Sequence, residues 1–127
     1  MNPVTWFEIY CDDLERATKF YEAVLGLKLS PLGDPNNGDF KMMAFPMEMN
    51  QLGAGGALVK THNVKPGLGG TMIYFGCDDV ATEAARIEGA GGKLIQDKFA
   101  IGEYGHIALG MDTEGNMFGL HSAPKGM

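Results

Sequence analysis

Residues 6–29 read WFEIYCDDLERATKFYEAVLGLKL, and residues 72–95 read MIYFGCDDVATEAARIEGAGGKLI. Superposed at an offset of 66, the two stretches agree at Cys11/Cys77, Asp12/Asp78, Asp13/Asp79, Glu22/Glu88 and Gly26/Gly92, and Leu14 faces Val80. The agreement continues downstream. GDFKMMAFPME (38–48) matches GEYGHIALGMD (102–112) at an offset of 64, aligning Gly38/Gly102, Phe40/Tyr104, Ala44/Ala108 and Met47/Met111. GAGGALVK (53–60) matches GNMFGLHS (115–122) at an offset of 62, with Gly53/Gly115 and Leu58/Leu120 in step. The offset drifts only at Gly- and Asn-rich positions, where loops absorb length changes. Matches in this order predict two copies of one small module.

Each copy opens on a short apolar run, Val4–Cys11 or Thr71–Cys77, whose aromatic and β-branched content predicts a strand. The Asp pair that follows predicts a helix N-cap, because a carboxylate accepts the unpaired N–H groups of a first turn. Leu14, Ala17, Tyr21, Val24 and Leu25 make the apolar face of the first helix, and Val80, Ala84 and Ile87 that of the second. Gly26 and Gly91–Gly92 predict where they stop. Three strands then follow in each copy: Lys28–Leu32, Phe40–Pro46 and Gly56–Lys60 in the first, and Lys93–Phe99, His106–Met111 and Asn116–His121 in the second. DPNNGD, EMNQLGAGG and DTEGN supply the turns. The fold class is therefore α+β: two tandem β-α-β-β-β modules in one domain, at about 2–60 and 71–122 with a linker at 61–70. One four-stranded sheet with one helix leaves its other face bare, so the modules must pair.

Composition narrows the partners. The chain has 127 residues, 45% of them apolar and 20% charged, which suits an ordinary globular domain that folds without a disulfide or structural metal. A net charge of −6 with no Lys/Arg cluster along the sequence argues against nucleic acid. No apolar run approaches the ~20 residues of a membrane span, and the N-terminus lacks the pattern of a secretion signal. The two cysteines read as reduced thiols at strand ends of a cytoplasmic protein.

The opening NPVTWFEIYCDDLERATKFYEAVLGLKL, the second GGTMIYFGCDDVATEAARIEGAGGKLI and the closing GMDTEGNMFGLHS resemble the vicinal oxygen chelate superfamily over about Asn2–Ser122. That superfamily includes glyoxalase I, bleomycin-resistance proteins and extradiol dioxygenases, and the likeness is nearest to the branch related to lactoylglutathione lyase. The resemblance implies cup-shaped mixed sheets and a homodimer. Its metal-dependent members hold a divalent ion with His, Gln or Glu from the first and last strand of each module. Carried onto this chain, those positions are Trp6, Ala57, Met72 and Gly119. None suits such an ion: Trp, Ala and Gly offer no donor and a Met thioether suits soft ions only. No metal and no cofactor is therefore expected.

Side chains alternate across a strand, so Glu8 shares a face with Trp6, Tyr74 with Met72, Val59 with Ala57 and His121 with Gly119. An apolar wall of Trp6, Val59, Met72 and Tyr74 with one carboxylate and one imidazole has the make-up of a small-molecule pocket. Each residue also has a plain structural role, as a packing residue, a rim carboxylate or a strand-end histidine. Because the resemblance brings the first strand of one module near the last strand of the other, Glu8 and His121 are the candidate catalytic pair, able to move a proton near neutral pH. His106, among small neighbours Ala108 and Gly110, is a further candidate ligand contact. The segment KTHNVKPGLGG reads as a crossing linker that can also lie over the cleft. Three classes stay open: a metal-free binder of a small, largely apolar organic molecule; a metal-free acid–base lyase or isomerase; and a metal-dependent glyoxalase- or dioxygenase-type enzyme with ligands drawn from Glu8, His106 and His121.

Overall fold

Asp13 and Asp79 do begin the two helices. The Asp13 carboxylate accepts from the Arg16 N–H at 3.0 Å and that of Asp79 from the Ala81 N–H at 3.0 Å. In the computed structural model, which describes residues 2–33, 41–48, 50–62 and 64–124, they follow strands β1 (Trp6–Tyr10) and β5 (Ile73–Gly76). Helix α1 (Leu14–Leu25) leads to β2 (Ser30–Leu32), β3 (Lys41–Ala44) and β4 (Gly55–Lys60). Helix α2 (Val80–Ala84) leads to β6 (Lys93–Ala100), a single 3₁₀ turn (Gly102–Tyr104), β7 (His106–Met111) and β8 (Met117–Ser122). The sheets have the same plan, β1-β4-β3-β2 and β5-β8-β7-β6, each with one parallel pair and two antiparallel ones.

Three local expectations are corrected. Residue Phe20, absent from the predicted helix face, is buried, whereas Leu25 is only partly so, because the apolar stripe of α1 turns towards the second sheet. Helix α2 stops at Ala84 and continues as turns as far as Gly91, since Gly89, Gly91 and Gly92 are poor helix formers. Strand β2 begins at Ser30 rather than Lys28: the Leu29 N–H is taken by the Glu22 carboxylate at 2.9 Å instead of by a neighbouring strand. The DPNNGD turn, Phe40 and Met49 lie outside the described residues.

One apolar core serves both sheets. Six rings, of Phe7, Phe20, Tyr21, Phe45, Phe75 and Phe118, meet in pairs at centroid distances of 5.0–6.2 Å. Tyr21 of α1 touches Phe45 of its own half and Phe75 and Phe118 of the other, so its ring is the seam. Ring pairs in these tilted and edge-on arrangements add about 0.5–1.5 kcal/mol beyond area burial.

The turn DTEGN at Asp112–Asn116 does more than reverse the chain. Glu114, whose side chain is fully buried, accepts the backbone N–H groups of Asp12 and Asp13, both at 2.9 Å. It also accepts the Arg16 fork at 2.7 and 3.0 Å and the Thr113 hydroxyl at 2.8 Å. Asp112, also buried, accepts the Tyr21 hydroxyl at 2.6 Å. Burial by itself would raise the Glu114 pKa. Arg16, the two N–H groups and Thr113 overcome that and hold it at about 2. At the far end of α1 the Arg86 guanidinium donates to the Val24 carbonyl at 3.1 Å, placing a cation from the second half at a helix C-terminus.

Candidate functional site

Alternation along β1 puts Trp6, Glu8 and Tyr10 on the face opposite Phe7 and Ile9, which enter the core. The Glu8 carboxylate is held from both sides, accepting the Trp6 indole N–H at 3.2 Å and the Tyr10 hydroxyl at 2.7 Å. The hydrogen bond to Glu8, followed by partial burial, raises the Tyr10 pKa. Glu8 is thus fixed in orientation as a charged acceptor with lone pairs to spare.

It opens into a cavity of about 330 Å³ between the two halves. Glu8, Ile9 and Tyr10 of β1, Ile73 of β5, and Met117 and Phe118 of β8 form its walls, and the linker Lys65–Gly69 roofs it. Asn116 pins that roof. Its Oδ1 accepts the Gly67 N–H at 2.8 Å, while its Nδ2 donates to the Tyr10 carbonyl at 2.8 Å. One amide therefore joins the linker, β1 and the DTEGN turn.

Of the residues picked from the sequence, this cavity takes in Glu8 alone. Trp6, Met72 and Tyr74 stand outside it, exposed by 38%, 36% and 48%. Val59 is paired with Tyr10 and Met42 and is fully buried, so it has no surface to offer a ligand. His121 lies outside the cavity walls as well. Its Nε2 is 2.8 Å from the Tyr104 carbonyl, which can only accept, so Nε2 is the donor in that bond. His106 pairs with Ser122, whereas His121 pairs with Ile107, so the two histidines occupy opposite faces of their sheet. The structure does not bring Glu8, His106 and His121 together as one ligand set. Sequence reasoning missed Tyr10, although alternation from Trp6 and Glu8 points to it, and Asn116, for which no local signal exists.

Neither thiol is activated as a nucleophile. Burial, then neighbouring carboxylates, pushes both Cys11 and Cys77 up to about 12, and neither is in a disulfide. Among the described residues no three His, Cys, Asp or Glu side chains gather as a metal site, and no helix is long and apolar enough to cross a membrane. Of the positions the resemblance implies for a metal, 119 fails a geometric test as well. Gly119 is paired with Tyr74, whose ring lies over its backbone, and a Cβ built there would collide with that ring. A ligating side chain at 119 has no room, and the residues present do not fit a divalent ion. Titration with Ni²⁺, Co²⁺, Zn²⁺, Mn²⁺ or Fe²⁺ is therefore expected to leave the fluorescence of Trp6, the only tryptophan, unchanged. A stoichiometric quench by any of them would overturn that assignment.

The family model described as bleomycin resistance protein-like N-terminal matches residues 4–48. CFP32 of Mycobacterium tuberculosis (strain CDC 1551 / Oshkosh), which carries a glyoxylase name, is 29% identical over 122 residues, covering 94% of this chain. The chain spans only 44% of that relative's length. Among solved structures, an E144Q mutant of glyoxalase I from Zea mays superposes with a TM-score of 0.72 at 22% identity, over 94% of this chain and 46% of that one. TnmS3, an antibiotic binding protein from Streptomyces sp. CB03234, does so with a TM-score of 0.66 at 24% identity, over 98% of each chain. With the doubled β-α-β-β-β plan, these likenesses show the glyoxalase/bleomycin-resistance fold and support the vicinal oxygen chelate superfamily, the group of glyoxalase I and the bleomycin-resistance proteins, as the one this chain is similar to.

Proposed function

We propose that the chain binds a small, largely apolar organic molecule in the cavity between its two halves, with Glu8 as the polar anchor. The observation that carries this reading is the roofed cavity of about 330 Å³, within the range of small-molecule sites, with Ile9, Ile73, Met117 and Phe118 as its apolar surfaces among polar ones and Glu8 as an oriented carboxylate. A ligand presenting a hydrogen-bond donor or a positive charge to Glu8 satisfies it best. The likeness to an antibiotic binding protein supports small-molecule binding. A proton-shuttling Glu8–His121 pair gains no support, because His121 is outside the walls and tied to Tyr104.

Trp6 donates to Glu8 and so reports on the site. Screening small apolar molecules with one donor group should give a saturable change in its fluorescence and no product. Glu8→Gln keeps the shape but removes the charge, and is expected to weaken binding by roughly ten- to a hundredfold, the value of one charge-assisted hydrogen bond. Equal affinity in the variant, or binding that survives filling the cavity with Ile73→Trp, would sink the reading. We infer also that a second copy covers the faces carrying exposed Trp6, Met72 and Tyr74, because the Zea mays enzyme has about twice this length of chain. Sedimentation equilibrium at the mass of one chain would refute that.

A further inference from the structure

Three lysines converge where the first sheet ends. Lys41 opens β3, Lys60 closes β4, and the antiparallel register sets them directly opposite each other. Opposed side chains in such a pair have Cβ atoms about 5 Å apart, and like charges there repel. Lys65 of the linker joins them around a separate cavity of about 240 Å³, which also borders Asp12, Thr61 and His62. Cys11, whose thiol is protonated and uncharged at neutral pH, also borders it.

The charge balance of this cavity is the reverse of the chain's. Among its described residues, three ammonium groups face the one carboxylate of Asp12, an excess of positive charge on a chain of net charge −6. Among the described residues the lysines in ion pairs are Lys19 with Glu15 and Lys98 with Asp79, not Lys41, Lys60 or Lys65. A chain with 16 acidic residues sets a lysine, not a carboxylate, opposite Lys60. Repulsion of this kind is relieved when an anion sits between the ammonium groups.

We propose that this cavity is a binding site for a compact oxyanion, the phosphoryl or carboxylate group of a small molecule. Lys41, Lys60 and Lys65 hold the charge, and Asp12 sits at the cavity as the opposing group that disfavours bulkier polyanions. Lys65 also borders the cavity of Glu8, but the anion site stands without that one.

The test is a titration of the ¹⁵N-labelled full chain with inorganic phosphate and, separately, with succinate, at constant ionic strength. Saturable shifts confined to the amides around Asp12, Thr61 and His62 are expected. The dissociation constant should weaken about tenfold in Lys41→Met and again in Lys60→Met, the scale of one charge-assisted contact each. Response to phosphate alone assigns a phosphoryl group, response to succinate alone a carboxylate, and response to both a general oxyanion site. No saturation with either, or shifts unchanged in the lysine variants, overturns the proposal. A second readout is thermal: without added anion at low salt, Lys60→Gln should raise Tm by roughly 1–3 °C as the repulsion is removed. A fall in Tm would show the pair is not held at a cost and would overturn the argument. Neither readout depends on Glu8 or on the ligand of the first cavity.

Discussion

Replacing Glu114 with alanine is expected to lower the unfolding free energy by about 3–5 kcal/mol, the range for breaking a buried ion pair by removing one partner. The substitution strands the Asp12 and Asp13 N–H groups and the Arg16 fork at once, and it uncouples the β7–β8 turn from the start of α1. Glu114→Gln keeps the shape and separates charge from packing. The sign of the pH effect follows from the depressed carboxyl. Its pKa is about 2 in the folded chain against an ordinary 4.5, so its stabilisation is fully present above 4.5 and is lost as the pH falls towards 2. The span corresponds to about 3 kcal/mol. Urea unfolding at pH 7, 4 and 2.5 checks it: wild type should lose stability steeply over the acid range and Glu114→Gln should lose much less. Parallel acid limbs would show that Glu114 is not the group responsible.

The second large effect is at Tyr21. Tyr21→Ala removes a fully buried ring that touches four others and a hydroxyl bonded to a buried carboxylate. A loss of about 4–6 kcal/mol is expected from cavity and hydrogen bond together, enough to unfold a domain of ordinary stability. Tyr21→Phe keeps the ring and isolates the hydroxyl, at about 1–3 kcal/mol. In a double-mutant cycle with Asp112→Asn the two changes should couple by about 1 kcal/mol or more. Additive losses would mean that the rings alone join the halves.

These two residues mark where the sequence stops being legible. The Asp caps, the Gly26 stop, the strand alternation and the matching order of elements depend on neighbours within a few positions, so local rules find them. Glu8 was legible for the same reason, as a carboxylate in an otherwise apolar strand. Glu114 and Asp112 read only as turn residues, because what they bind lies 102 and 91 positions away. The linker over the cavity was expected from its Pro and Gly content, but Asn116, which pins it to β1, depends on the same long-range docking.

The sequence by itself determined the β-α-β-β-β order of both halves and an acidic chain, and the resemblance it carries implied metal positions without metal donors. Tertiary structure alone decided which face residues share a cavity. It left Trp6, Met72, Tyr74 and His121 outside, set His106 and His121 on opposite faces, and brought Lys41, Lys60 and Lys65 around one pocket. The physical reason is that alternation tells which side of a sheet a residue faces. Register between strands and the docking of one half on the other, which are non-local, determine what it meets there.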